Sequence, residues 1–172
     1  MTIAYRDATP ADAATVQAVY VASFDPMFRH LYAPADYDAF MAEHDVASFA
    51  GHLGDPDYAV HLAETEGGHA VGFAKLGPTE LPYDAAGRTC LDLKQLYLLD
   101  AAKGTGVADA LLSWVVDEAR RRGADELWLS VFSDNPRARR FYAKRGFAEV
   151  GGFKFMVGSH ADDEILCRRM LA

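Results

Sequence analysis

Residues 90–132 constrain the fold more than any other stretch of the chain. Cys90–Leu98 reads as a strand, and Lys103-Gly104-Thr105-Gly106-Val107-Ala108 is a turn rich in small residues. Residues 107–122 place Val107, Leu111, Val115 and Ala119 on one helical face, and residues 127–132 read as an apolar strand. Two strands joined through a helix need a crossover, and a crossover leaves them parallel in one sheet. Gly123 stops the helix. Arg120, Arg121 and Arg122 lie where cations complement the negative end of the helix dipole.

The flanks carry antiparallel signals. Ile3–Asp7 predicts a short first strand, and Thr9 and Pro10 suit the N-cap and first position of a helix running to Phe24. A second, shorter helix is expected over 36–49. Strands over 58–63 and 70–76 are joined by Glu66-Gly67-Gly68, a good hairpin turn. Residues 77–87 form a loop rich in Pro and Gly. Residues 136–145 predict a helix ended by Gly146, and 147–157 and 164–171 two final strands. The expectation is an α/β fold, one domain over 1–172, with a mixed sheet and helices on both faces.

Composition excludes several classes. No stretch approaches the roughly 20 apolar residues of a membrane helix, and the N-terminus has no signal-peptide pattern. Cys90 and Cys167 are the only cysteines, so no disulfide framework is implied and a cytoplasmic location is expected. The net charge of -8 argues against nucleic-acid binding, and no membrane partner is expected. The charge is uneven. Residues 1–102 hold 5 Lys/Arg against 15 Asp/Glu, whereas residues 103–145 hold 9 against 6. That local basic excess marks where a small anion could sit.

The glycine turn supplies such a site. Small residues allow tight turning, and the following helix presents unpaired N–H groups at its positive end. A dinucleotide fingerprint needs a third glycine where Asp109 stands, and the Gly-Lys-Ser/Thr ending of a P-loop is absent. Neither a Gly-x-Ser-x-Gly elbow nor a His/Cys cluster with ligand spacing occurs, so no hydrolase chemistry and no metal are expected.

Leu96-Tyr97-Leu98, the Lys103–Ala108 turn and Ala110-Leu111-Leu112 together resemble the acyl-CoA signature of the GNAT superfamily of N-acetyltransferases. Its Gln/Arg-x-x-Gly-x-Gly/Ala pattern falls on Lys103, Gly106 and Ala108, with lysine in place of arginine's fork. A second segment, Asn135 to Phe147, matches the family's Asn-x-x-Ala-x-x-Phe-Tyr-x-x-x-Gly-Phe at every fixed position. The resemblance implies a mostly antiparallel mixed sheet whose parallel central strands splay apart. It implies acetyl-CoA as co-substrate, with amides near Gly104, Gly106, Val107 and Ala108 on the diphosphate. Leu96 and Leu98 would pair with the pantetheine arm, and an amide around Leu98 would serve as oxyanion donor. Asn135 caps the next helix or holds the cofactor, and Lys103 or Arg139 would attract its phosphates.

Acetyl transfer to an amine by direct attack in a ternary complex needs a base for the ammonium and an acid for the leaving thiolate. The resemblance makes Tyr142 the acid, while Phe141 reads as core. Asp92 is the leading base, its alternative being an exposed strand residue; His30, Tyr97 and Glu80 are weaker candidates. The segment Phe24 to Tyr32 is expected to shape the acceptor side. The run from Phe153 to Gly158, followed by Asp163 to Leu166, resembles a bacterial branch that includes polyamine acetyltransferases. The expected partner is thus a small-molecule amine, with a polyamine as the narrower suggestion. A protein N-terminus, an amino acid, an antibiotic, or cofactor binding without turnover stand as alternatives. A homodimer is also expected.

Overall fold

The computed structural model describes residues 2–172. Seven strands form one sheet: β1 (Ile3–Asp7), β2 (Ala59–Thr65), β3 (Ala70–Pro78), β4 (Cys90–Leu98), β5 (Glu126–Phe132), β6 (Ala148–Val157) and β7 (His160–Met170). Their order is β1-β2-β3-β4-β5-β7-β6, and every neighbouring pair is antiparallel except β4 and β5. The parallel pair is short. Cys90, Leu91 and Asp92 face Glu126, Leu127 and Trp128, and there the ladder ends. Beyond it β4 stays with β3 as far as Leu98, while β5 stays with β7 as far as Phe132. The sheet is therefore split at its centre.

Helices α1 (Ala13–Phe28), α2 (Pro34–Ala42) and α3 (Val46–Gly54) cover one face; α4 (Val107–Arg121) and α5 (Pro136–Ala143) belong to the second half. The α4 stripe is buried as its spacing predicts: Val107, Leu111, Val115 and Ala119 are all at most 1% exposed, packed with Leu76, Leu127 and Leu129. Each fully buried side chain of Val or Leu size contributes about 1.5–3 kcal/mol. On the other face Val16, Tyr20, Phe24 and Phe49 pack on Leu62 and Phe73. Among the described residues no helix is long and apolar enough to cross a membrane.

Several boundaries differ from expectation. The helix expected over 36–49 is two helices. The chain breaks before Asp45, whose Oδ1 accepts the Ser48 N–H at 2.8 Å and starts α3. Thr9-Pro10 opens a 3₁₀ turn, Pro10–Asp12, and α1 follows it, running through Pro26 to Phe28. The last strand starts at His160 rather than 164, because the hairpin turns at Gly158, where φ is +57°. That shift places Asp162 and Glu164 two residues apart in a strand, hence on one face.

Candidate active site

The split opens into a cavity of about 900 Å3 that runs from the glycine turn to the aromatic side of α1 and the β6–β7 hairpin. At its first end, Gly104 and Gly106 have φ of +79° and +89°, left-handed conformations that favour glycine. A Cβ at either would meet nothing within 4 Å, so the space above the turn is open to a ligand. Thr105 Oγ1 donates to the Ala102 carbonyl at 2.7 Å and holds the turn. The first intrahelical bond of α4 runs from Ala110 N–H to Gly106 C=O, so the amides of Val107, Ala108 and Asp109 are free at the positive end of the helix. An open cradle with convergent donors fits a diphosphate.

The edge of β4 has its own donors. Leu99 N–H bonds to Val71 C=O at 2.9 Å, and the β3–β4 register then makes Tyr97 with Phe73 the next hydrogen-bonded pair. By the same alternation Leu96 and Leu98 turn their N–H and C=O groups away from β3, into the split. Both residues line the cavity.

Tyr142 stands on α5, half-buried, with edge-to-face contacts to Phe141 at 5.2 Å and Phe147 at 5.6 Å. It lines the cavity, and its hydroxyl makes no hydrogen bond among the described residues. Burial raises its pKa above the usual phenol value, so the group is protonated throughout the neutral range. Asn135 Oδ1 accepts the Ala138 N–H at 3.0 Å and caps α5; the residue also lines the cavity.

Two expected roles meet obstacles. Asp92 is 1% exposed and sits where β4 and β5 are still paired. Its Oδ2 accepts the amides of Glu80 (2.8 Å) and Leu81 (3.3 Å), its Oδ1 accepts the Tyr83 hydroxyl (2.9 Å), and Lys94 Nζ lies 3.5 Å away. It is neither an exposed strand residue nor a free base; it pins the segment after β3 onto the sheet. Arg139 is absent from the cavity wall because its guanidinium grips Glu149 (2.8 Å) and the Ser133 carbonyl (3.1 Å). The arginines on the wall are Arg137 and Arg145, the latter paired with Asp109 and lying 3.7 Å above the Phe141 ring. Lys103 is also on the wall, with Nζ 2.6 Å from Asp100.

Of the weaker base candidates, His30 is exposed and off the cavity, and Glu80 is paired with Lys94 at 2.9 Å. Tyr97 lines the cavity, its pKa raised first by burial and then by the neighbouring Tyr142 and Glu164. Glu164, which no sequence motif marks as a base, is the carboxyl on the wall best suited to proton transfer. Burial pushes its pKa up to about 7, Asp162 adds to the rise, and the Ser130 hydroxyl opposes it. Asp162 itself is buried, accepts the Tyr32 hydroxyl at 2.5 Å and lies 3.1 Å from His160. The expected acceptor segment contributes Phe24, Met27, Phe28 and Tyr32 to the wall, facing Phe153 and Phe155.

A sheet split beside a glycine-rich helix N-terminus, with a protonated tyrosine on the next helix, defines an acyl-CoA-dependent acyltransferase. The chain belongs to the acetyltransferase (GNAT) family, whose model matches residues 23–147, and it is an acetyl-CoA-dependent N-acetyltransferase. It is 35% identical over 161 residues to an uncharacterized N-acetyltransferase of Mycobacterium tuberculosis, covering 93% of this chain and 98% of the relative. It is 30% identical over 114 residues to the aminoalkylphosphonate N-acetyltransferase of Salmonella typhimurium, covering 66% and 69%. The fold is shared with PaiA N-acetyltransferase from Thermoplasma acidophilum in complex with coenzyme A, at a TM-score of 0.78, 17% identity and 99% coverage of both chains.

Proposed function

We propose that this enzyme acetylates the primary amine of a small molecule, with Glu164 as the base and Tyr142 as the acid. The observation that carries the reading is that a carboxyl tuned to about 7 and an unpartnered, protonated phenol line one cavity at the split. The thioester, when bound, supplies the activated acetyl group. The free amides at the start of α4 hold its diphosphate, and the edge of β4 at Leu96 and Leu98 orients the arm. Lys103 and Arg137 add positive charge beside it, and Asn135 stands on the same wall.

An alkylammonium with pKa near 10.4 must lose a proton before it can attack. Glu164 takes that proton, directly or through one water, and its position among aromatic side chains favours a cation beside it. The Leu98 N–H, aimed into the split, donates to the carbonyl oxygen as charge develops there. Tyr142 O–H then protonates the departing sulfur. Attack is direct, within a ternary complex.

The Asp162/Glu164 pair and the aromatic wall suit the amine end of a polyamine, the narrower suggestion of the sequence. A second ammonium would meet Lys75 and Lys94 elsewhere on the wall, so a small monoamine fits better. Free-thiol release from acetyl-CoA, followed across primary amines with amide product identified by mass, tests the reading. Turnover with small amines is expected; thiol release that is independent of every amine would overturn it.

A further inference from the structure

We propose that the part of the cavity beside α3 is an oxyanion subsite built on Lys75, so that the acceptor amine carries a carboxylate or phosphonate that docks there. The proposal rests on the small-amine reading above and narrows it to one chemical class.

Lys75 sits in the middle of β3, is 5% exposed, and lines the cavity. Among the described residues no carboxylate lies within 4.0 Å of its Nζ, and its hydrogen-bond partner is a neutral-type acceptor, His52 Nδ1 at 3.2 Å. The Phe49 and Tyr58 rings lie 5.3 and 5.9 Å from the ammonium. The nearest ion pairs are taken up elsewhere: Glu80 and Asp92 are both engaged by Lys94, at 2.9 and 3.5 Å. Lys94 itself opposes charge on Lys75.

A buried cation without a counter-charge is costly, and the usual compensation is a fixed anion. The protein places none in contact with Lys75; Glu80 acts on it only at longer range and is itself paired with Lys94. Burial accordingly lowers the Lys75 pKa to about 8, which still leaves the side chain mostly protonated at neutral pH. A ligand oxyanion at this position would replace the missing partner in surroundings where charge-assisted bonds are strong.

A second unmet group lies beside it. Gln95 faces Lys75 across the β3–β4 register and lines the same wall, and its Oε1 is buried with no partner. Buried side-chain acceptors are nearly always satisfied. An acceptor whose anion meets Lys75 would lie beside this carboxamide, and Tyr97, next on the same face of β4, adjoins Glu164 on the same wall. The cofactor's own phosphates do not account for the site: they are assigned to the glycine turn and the start of α4, whereas Lys75 sits beside Phe49 and Tyr58. A diamine of similar length would instead press an ammonium against Lys75 and Lys94.

The test uses the protein saturated with coenzyme A, which cannot turn over. Calorimetric binding is measured for 3-aminopropanoate, 2-aminoethylphosphonate and 1,3-diaminopropane, which differ mainly in the far group. Both amino acids should bind at least about 30-fold more tightly than the diamine, the ratio expected for one desolvated charge pair. Whichever of the two binds more tightly separates carboxylate from phosphonate. Lys75→Met, which keeps an unbranched buried side chain, should remove that preference. Equal affinity for all three, preference for the diamine, or an unchanged preference in Lys75→Met would overturn the proposal. Should the variant fail to fold, the parent's ranking alone decides. Thiol release with acetyl-CoA is measured separately on the same amines. Turnover without the anion preference defeats this subsite alone, whereas anion preference without amine-dependent release defeats the catalytic reading alone.

Discussion

Tyr142 and Asp92 are both polar groups beside the split, but their surroundings set opposite consequences for their removal. The Tyr142 hydroxyl has no hydrogen-bond partner among the described residues, and its ring is held by Phe141 and Phe147. Tyr142→Phe should therefore fold normally and bind acetyl-CoA as the parent does, while kcat falls by about 100- to 10,000-fold. Full turnover on the best amine would remove the hydroxyl from the mechanism. Asp92→Asn leaves one oxygen for donors that now use two. Denaturant unfolding should show a loss of about 1–3 kcal/mol; an unchanged midpoint would mean that the segment after β3 does not depend on it. For Glu164 the sign is fixed by the direction of its shift. Its native pKa, about 7, lies above the 4.5 of the unfolded chain, so the native state penalises the charged form. The penalty is absent below 4.5, grows between 4.5 and about 7, and is constant above. Glu164→Gln should thus gain stability relative to the parent at pH 8 but not at pH 4, and should lose the rise of kcat/KM that the parent shows up to about pH 7. An identical pH profile in the two proteins would exclude Glu164 as base. Tyr142 was readable in the sequence because a motif carries it. The partners of Asp92 are not legible in the same way, because strand position says nothing about who shares a carboxylate's lone pairs; its donors come from a loop whose path no periodicity records. Glu164 lies in the Asp163–Leu166 run of the sequence resemblance but not among its base candidates, because a last strand beginning at that residue hides its alternation with Asp162.

The turn from Lys103 to Ala108 works through its backbone, which is why its residue types were informative. Gly106→Val places a β-branched residue at φ +89°, a conformation that costs about 1–2 kcal/mol for residues other than glycine. Its Cβ meets no protein atom within 4 Å, so the new side chain projects into the ligand's space. A folded variant with strongly weakened acetyl-CoA binding is expected by calorimetry, and parent-like affinity would show that the diphosphate lies elsewhere. The basic residues next to the turn divide by the same logic. Arg137→Gln should weaken cofactor binding, whereas Arg139→Gln, which breaks a contact to Glu149, should not. If Arg139→Gln weakens it more, the wall has been misassigned. The strand–helix–strand unit and α4 were legible because an amphipathic stripe and two glycines mark their limits. The stretch 25–54 was not, since Pro26 lies inside α1 and the break before Asp45 is marked only by a single capping side chain. There the aromatic contacts of α1, α2 and α3 with the sheet, not local periodicity, decide the path.

The split also sets how the molecule holds together. Three residue pairs of β4 with β5 are the only ladder joining strands β1–β4 to strands β5–β7, among the described residues. The remaining links across the gap are side-chain contacts, including α4 packed beneath both halves and the Phe28–Phe132 edge contact at 5.8 Å. Leu96 and Leu98 lack strand partners on the β5 side for the same reason that they can receive a ligand. In the proposed mode of binding, the acetyl-CoA arm completes the sheet. Hydrogen exchange should read it directly. In the free protein, amides of 95–98 that face the split should exchange faster than those of 90–92, which lie in the paired part of β4. Saturation with acetyl-CoA should slow exchange at 96 and 98 and at the first turn of α4, where amides gain acceptors. It should also raise global stability by about 2.7 kcal/mol at a ligand concentration 100 times Kd. Protection confined to the glycine turn would place the arm outside the split. Protection spread evenly over all seven strands would mean that the ligand acts only through global stability, and that the gap between β4 and β5 does not receive it.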